Sequence, residues 1–221
     1  MWFSDAEHVV FSRRDLDANE LFATYGQALD GSPERLVHHG AWASDDSPDG
    51  QWMVLGVQRP GTVFDIQRRR VDGSDEPIDV LATPYNEMYA KFSPDGKWLV
   101  FGSNATGRAE LYLMPFDGPG TRLQITDDGL DFMGPLAWLG DGRVVYADRV
   151  DARRLWALHV DTSVAPPRIG EPVALTSAVE LEQNQFAISA DGERLLVAVP
   201  VDGVGRGVVH LIQNGLRVED G

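Results

Sequence analysis

Apolar and polar residues alternate in short blocks along the chain, and an acidic two-residue step recurs between the blocks. Asp49-Gly50, Asp95-Gly96, Asp141-Gly142 and Asp191-Gly192 are spaced 46, 46 and 50 residues apart. An apolar run precedes and follows each step; the runs that follow are Trp52 to Val57, Trp98 to Phe101, Val144 to Tyr146 and Leu195 to Val199. An Asp-Gly step between two such runs predicts a β-hairpin.

The third copy of this pattern shows the repeating unit most clearly. Its apolar segments are Met88 to Phe92, Trp98 to Gly102, Glu110 to Phe116 and Arg122 to Thr126, with turn residues between them. Four short strands in about 45 residues predict one blade of a β-propeller. A degenerate copy of the step, Asp5-Ala6, lies 44 residues before Asp49.

The fold class predicted by these repeats is all-β, a β-propeller of four-stranded antiparallel blades with about five repeats. We expect a single domain over residues 1–221, with blades at approximately 1–39, 40–82, 83–127, 128–177 and 178–221. Five complete blades need about 20 strands, whereas about 18 are predicted. The first copy offers only Trp2-Phe3 for its innermost strand, and the fifth has no outermost strand.

This shortfall predicts an incomplete part of a six-bladed ring, and an N-terminally truncated one. Unpaired strand edges invite pairing with another chain. We therefore expect self-association, or pairing with a missing blade, at the open edges.

The Asp-Gly steps themselves predict tight two-residue turns, in which both residues take positive φ. Asp49, Asp72, Asp95, Asp117, Asp141 and Asp191 each precede a Gly, so turn chemistry accounts for most of these carboxylates.

Composition narrows the function classes. The formal net charge is −15 and the pI is about 4.6, which disfavours nucleic-acid binding. The absence of cysteine excludes disulfides and thiolate chemistry but does not choose a compartment. No apolar stretch approaches the roughly 20 residues that span a bilayer, and the N-terminus does not have the pattern of a signal peptide.

No catalytic motif, cofactor loop or metal-ligand spacing is visible in the sequence. The five histidines, His8, His38, His39, His159 and His210, are spread along the chain without a ligand spacing such as His-x-His. No Gly-x-Ser-x-Gly nucleophile elbow occurs, and no Gly-rich loop opens a helix. We therefore expect no catalytic residue, no cofactor and no metal.

The segment Phe-Ser-Pro-Asp-Gly-Lys-Trp-Leu-Val-Phe at 92–101, with Glu110-Leu111-Tyr112-Leu113 after it, resembles the TolB-type β-propeller repeat. Within that family the stretch 107–126 is similar to propellers fused to bacterial serine/threonine kinases. The resemblance implies a six-bladed ring and a binding role, often in the cell envelope. It would place the protein in the periplasm or elsewhere outside the cytoplasm.

Arg68, Arg69 and Arg70 interrupt a strand whose counterparts in other repeats are largely apolar. One interpretation is an outer-strand position with packed stems and solvated charges. The alternative is a docking patch for an anionic partner, since burying three unpaired cations is costly.

The innermost strand of each blade should line the channel, and the loops at one end should form a rim. The residues expected to converge there as a ligand-binding site are Tyr85, Asn86, Glu87, Tyr89, Asn104, Arg108, Asp131, Phe132, Glu182 and Asn184. Aromatic anchors among polar neighbours suit the capture of a peptide.

Together these features favour a non-catalytic scaffold or sensor propeller that binds a protein or peptide, as part of a kinase-linked or envelope protein. One alternative is the gating propeller of a prolyl-oligopeptidase-type serine peptidase whose catalytic domain is absent. A second is a hydrolase or lyase with its site in the channel.

Overall fold

The structure, a computed structural model, describes residues 7–15, 20–59, 64–117, 120–127, 136–147, 155–176, 186–189, 191–200, 207–213 and 217–218. All regular elements in this part of the chain are β-strands, as predicted. Within the same ranges there is no helix of the length and apolar character required to cross a membrane.

The strands form five antiparallel sheets in chain order, here called blades 1 to 5. Blade 1 has β1 (His8–Asp15), β2 (Glu20–Ala28) and β3 (Arg35–His39). Blade 2 has β4 (Ala41–Asp46), β5 (Trp52–Val57), β6 (Asp65–Arg70) and β7 (Ile78–Leu81). Blade 3 has β8 (Glu87–Phe92), β9 (Trp98–Ser103), β10 (Glu110–Pro115) and β11 (Leu123–Gln124).

Blade 4 has β12 (Leu136–Trp138), β13 (Arg143–Ala147), β14 (Leu155–Asp161), β15 (Arg168–Ile169) and β16 (Val173–Thr176). Blade 5 has β17 (Phe186–Ile188), β18 (Arg194–Pro200) and β19 (Gly207–Gln213). The last strand, β20 (Arg217–Val218), pairs with β16 at the outer edge of blade 4. The sheets confirm the predicted series of about five antiparallel propeller blades.

The blades pack face to face, because each central strand buries both of its faces. On β5, Met53 and Leu55 pack in the cluster between blades 1 and 2, whereas Val54 packs toward blade 3. On β9, Phe101 packs toward blade 2 and Val100 toward blade 4. Successive side chains of a strand point to opposite faces, so nearly continuous apolar runs fill two interfaces at once.

Four tryptophans of the described residues pack between blades. Trp52 packs in the cluster between blades 2 and 3, and Trp98 and Trp138 pack in the one between blades 3 and 4. Trp42 meets Phe22 and Phe64 edge to face, with ring centres 5.4 and 5.0 Å away. The indole of Trp42 also leaves no room for a side chain at position 56, where a Cβ would lie 2.0 Å from the ring.

The turns at the Asp-Gly steps differ from the two-residue turns predicted. Gly50 has a φ of +67°, but Tyr89 is the only non-glycine residue with positive φ in the described ranges, so Asp49 does not share it. The N–H of Ser47 donates to the carbonyl of Trp52 and that of Gly50 to the carbonyl of Ser47, both at 2.8 Å. The hairpin therefore closes over four residues, 48–51, and only Gly requires the left-handed conformation.

The aspartate of the step acts as a hydrogen-bond acceptor. Asp49 Oδ1 accepts the Ser47 hydroxyl at 2.5 Å and the Gln51 N–H at 3.1 Å, while Ser47 Oγ accepts the Trp52 N–H at 2.9 Å. The hydroxyl and N–H hold the pKa of Asp49 below its usual value. The same arrangement recurs around Asp95 and Asp191.

Blades 1 and 5 each contribute three paired strands in the described part of the chain. The Trp2-Phe3 segment that was expected to supply an inner strand lies outside the described residues. The six-bladed ring, the blade boundaries and the pairing of open edges stay predictions.

Candidate functional site

A cavity of about 580 Å³ lies where the inner strands of four blades meet. Its walls come from β4, β8, β12 and β17, one strand from each of blades 2 to 5. The lining residues are Trp42, Ala43, Ser44, Asp45, Tyr89, Lys91, Leu136, Ala137, Trp138, Leu139, Phe186, Ala187 and Ile188. The innermost strand of these blades therefore lines a channel, as predicted.

The two sides of this channel differ in chemistry. On one side, β12 and β17 present apolar residues, among them Leu136, Trp138 and Phe186. On the other side, β4 and β8 contribute Asp45, Lys91 and Tyr89 as well as Trp42. The charged groups of the channel are thus concentrated on one side.

Both polar strands carry a β-bulge at the channel. The register of β4 against β5 shifts between Ala43 and Asp45, and that of β8 against β9 shifts between Met88 and Lys91. A bulge inserts an extra residue and changes the direction of the side chains around it. The bulge of β8 contains Tyr89, whose φ of 57° is a conformation that bulky side chains rarely adopt.

Side chains, rather than a backbone ladder, join β4 to β8. Lys91 Nζ donates to the carbonyl of Ser44 at 2.5 Å and to Asp45 Oδ1 at 3.2 Å. Asp45 Oδ2 accepts the Phe92 N–H at 2.9 Å, and the Ser44 hydroxyl donates to the carbonyl of Ala90 at 2.9 Å. The Asp45–Lys91 pair is only about one-fifth exposed, so this network fixes its geometry at the channel wall.

The Tyr89 side chain is half-buried, and burial raises the pKa of its phenol. The phenolic oxygen has no hydrogen-bond partner among the described residues. Because a phenol both donates and accepts, Tyr89 offers the channel an unused polar group.

Two loops meet at the predicted rim. The Asn86 N–H donates to Asn104 Oδ1 at 2.8 Å, and the Asn104 N–H donates to the Asn86 carbonyl at 3.3 Å. Tyr85 stands beside them with 41% of its surface exposed. Arg108, four residues beyond Asn104, donates to the carbonyl of Asp127 at 3.1 Å.

Glu87 lies beneath this rim rather than on it, because its side chain is fully buried. Thr83 donates to its Oε1, and Arg122 lies 3.6 Å from the same oxygen. Across the sheet Glu87 pairs with Ser103, which pairs in turn with the buried Glu110. Burial raises the pKa of Glu87 despite the hydrogen bond from Thr83.

The other predicted rim residues, Asp131, Phe132, Glu182 and Asn184, lie outside the described residues. The structure therefore brings together the rim residues of blade 3 and moves Tyr89 into the channel. A ligand-binding role for the rim stays a prediction.

Sequence reasoning missed Asp45 and Lys91 as channel residues. No pattern along the chain marked them: β4 and β8 are both six residues long and both carry a bulge, so blade 2 has no insertion relative to blade 3 at this point.

The three arginines on β6 have partners within the molecule. Arg68 Nη1 lies 2.9 Å from Asp117 Oδ1, and its guanidinium lies over the rings of Trp52 and Phe116.

The other two arginines are also engaged. Arg69 donates to the carbonyl of Val37 in blade 1 at 2.6 Å. The guanidinium of Arg70 also lies over the Trp52 ring, 4.1 Å from the ring centre, and donates to Gln51 Oε1. These contacts bridge blades 1, 2 and 3; the anionic docking patch stays a prediction.

Histidine, aspartate and glutamate do not come together in groups of three or more that could hold a metal within the ranges described. The channel itself presents one carboxylate and one ammonium, already paired with each other.

The stacked antiparallel sheets around a channel define a β-propeller, and TolB proteins are among the solved structures that share this fold. A TolB-type protein from Agrobacterium tumefaciens is 21% identical, with a TM-score of 0.59 over 78% of this chain and 64% of that one. TolB from Acinetobacter baumannii is 18% identical, with a TM-score of 0.60 over 100% of this chain and 54% of that one.

A puromycin hydrolase is 19% identical, with a TM-score of 0.65 over 100% of this chain and 37% of that one. The chain therefore spans between about one-third and two-thirds of the length of these proteins. No family model and no curated protein matches the sequence. The likenesses show that the chain has the TolB-type β-propeller fold.

Proposed function

We propose that this chain is a non-catalytic binding propeller that captures a protein or peptide at its channel and the adjoining rim. The observation that carries the proposal is the channel of about 580 Å³, built from the inner strands of four blades. Ligand pockets are typically concave, mostly apolar and provided with a few polar groups. The channel meets that description, since one side is apolar and the other carries Tyr89, Asp45 and Lys91.

The rim supports the same proposal. Tyr85 exposes a large aromatic surface beside the paired loops of Asn86 and Asn104. Tyrosine is enriched among the residues that dominate binding energy at interfaces. Tyr85 is therefore the candidate anchor for a peptide at the rim.

The proposal is tested by selecting peptides from a random displayed library on the wild-type chain. Ala187→Trp narrows the channel, because Ala187 lines it and is exposed. We expect this variant to lose binding of the selected peptides, and Tyr85→Ala to weaken it several-fold. Leu123→Trp, at an exposed site on the outer strand β11, is the matched control and should bind as wild type.

Failure to select any peptide would contradict the proposal. Equal binding to the wild type and to Ala187→Trp would contradict it as well, since the ligand would then lie elsewhere on the surface.

The resemblance of the repeats to kinase-fused propellers extends the proposal to a sensor portion of a kinase-linked or envelope protein, located outside the cytoplasm. The coding sequence around this chain tests that extension. An adjoining kinase domain and a membrane-spanning segment would support it.

A gating propeller of a prolyl-oligopeptidase-type serine peptidase is the second candidate, supported by the likeness of this chain to part of a prolyl endopeptidase. It predicts an adjoining α/β region with a nucleophile elbow. In that case Ala187→Trp would change hydrolysis of peptide substrates by the full protein rather than peptide affinity alone.

A further inference from the structure

We propose that the polar side of the channel selects a neutral backbone amide, held by Lys91 and Tyr89, while an apolar side chain of the same ligand packs on Trp138 and Phe186. This inference rests on the proposed function and names the ligand chemistry of that site. The occupant is a peptide segment with a bulky apolar residue.

Hydrogen-bond capacity on the polar side supports the assignment. A lysine ammonium has three donors, and those of Lys91 are directed to the Ser44 carbonyl and to Asp45 Oδ1. The third donor has no partner among the residues described. The Tyr89 hydroxyl has none there either, and both residues line the cavity, so each has an unused donor for a ligand bound there.

The charge balance favours a neutral acceptor over a carboxylate. Asp45 lies 3.2 Å from the Lys91 ammonium and compensates its charge at the channel wall. The chain as a whole carries a formal net charge of −15, which repels anions. An amide carbonyl accepts hydrogen bonds without adding charge, and the amide N–H can donate to the remaining lone pairs of Asp45.

The backbone around these groups is arranged in an uncommon way. Two bulges face the channel, one on each polar strand, and Tyr89 adopts a φ of 57°. Such conformations persist where the surrounding structure holds them, and they cluster at ligand sites. The inner strands β12 and β17 on the apolar side have regular pairing with their neighbours.

Size and apolar contact complete the argument. A cavity of about 580 Å³ exceeds the volume of a single side chain and suits a short peptide segment. Trp138, Leu136, Phe186 and Ile188 form the apolar surface on which an aromatic or branched side chain would be buried. Burial of that side chain supplies affinity, and the amide contacts supply orientation.

The test uses N-acetyl-phenylalaninamide as the probe. Its binding is measured in protein NMR by the shifts of the tryptophan indole N–H signals. N-acetyl-phenylalanine, which carries a carboxylate, and toluene, which has no amide, are the comparison probes. We expect the amide to shift the Trp138 signal at the lowest concentration, the carboxylate to bind more weakly, and toluene to bind weakest.

Tyr89→Phe removes the phenolic hydroxyl and keeps the ring. We expect it to weaken binding of the amide about fivefold, the effect of losing one neutral hydrogen bond. Tyr112→Phe is the matched control, because the buried Tyr112 hydroxyl has no partner among the described residues and Tyr112 lies on β10, which does not line the channel. This variant should bind the probe as wild type.

The outcomes separate the two proposals. If the amide binds in the channel but Tyr89→Phe binds it as tightly as wild type, or toluene binds equally well, the amide assignment is wrong and the binding channel stands. If library-selected peptides and all three probes leave the channel signals unchanged, both proposals are wrong.

Discussion

The guanidinium of Arg68 lies 4.8 Å from the ring centre of Trp52, at the interface between blades 2 and 3. The ring of Phe116, which belongs to blade 3, is 4.9 Å from the same guanidinium. A charged residue in the middle of a strand therefore contributes to the packing of two blades. Its side chain is partly buried, and its charge is compensated by Asp117.

This arrangement predicts that Arg68→Ala destabilises the chain by about 1–2 kcal/mol, since cation–π contact, packing and a hydrogen bond are lost together. The measurement is the free energy of unfolding in urea. Arg35→Ala is the control, because Arg35 is exposed on the outer strand β3 and should change stability by no more than about 0.5 kcal/mol. Equal effects of the two substitutions would show that Arg68 does not stabilise the blade interface.

The Asp-Gly turns predict a specific role for the serine that precedes them. Ser93→Ala removes the acceptor of the Trp98 N–H and a donor to Asp95, and we expect a loss of about 1 kcal/mol. Ser163→Ala is the control: Ser163 also donates to an aspartate, Asp161, but at an exposed turn, and its removal should cost less.

The loss of stability caused by Ser93→Ala should also depend on pH. Burial by itself raises the pKa of Asp95. Hydrogen bonds from the Ser93 hydroxyl and the Lys97 N–H lower this pKa by more, so that it lies below its usual value. A lowered folded-state pKa stabilises the fold above the unfolded pKa of about 3.9 and loses that effect as the pH falls through the folded value. The stability difference between wild type and Ser93→Ala should therefore shrink below about pH 4. A constant difference from neutral pH to pH 2 would contradict this account.

Glu87 should show the opposite pH dependence. Burial raises the pKa of its carboxyl in the folded state, so ionisation opposes folding as the pH rises from the unfolded pKa of about 4.3 through the folded value. Glu87→Gln removes that ionisation. Relative to wild type, the variant should gain stability as the pH is raised from about 4 to 8, as measured by urea unfolding across this range. Asp95→Asn is the comparison: its difference from wild type should stay nearly constant from about pH 5 to 8 and change mainly below about pH 4.

The packing of Trp42 predicts a requirement for glycine at position 56. A Cβ there would lie 2.0 Å from the indole, so Gly56→Ala must displace the ring and should cost about 1–3 kcal/mol or more. Because Trp42 also lines the channel, its fluorescence should change. Gly26→Ala, where the nearest atom would be 3.4 Å from the new Cβ, should have a much smaller effect. Comparable losses in both variants would contradict the steric explanation.

The repeat pattern predicted the five sheets because local chemistry repeats with the fold. Each Asp-Gly step closes a hairpin, and runs such as Trp98 to Phe101 are apolar on both faces because both faces meet another blade. The geometry of the turn could not be predicted from the sequence in the same way. The hydroxyl of Ser47 and the backbone of Gln51 decide how Asp49 is used, and those contacts exist only once the hairpin has formed.

What the sequence determined by itself is the all-β class, the blade period and the identity of the inner strands, since periodicity and turn residues are local properties. The tertiary structure alone decided the chemistry of the channel. Asp45 and Lys91 are 46 residues apart and meet only because β4 and β8 lie side by side around the channel. The left-handed conformation of Tyr89 likewise depends on a bulge that neighbouring strands impose, and no pattern along the chain encodes it.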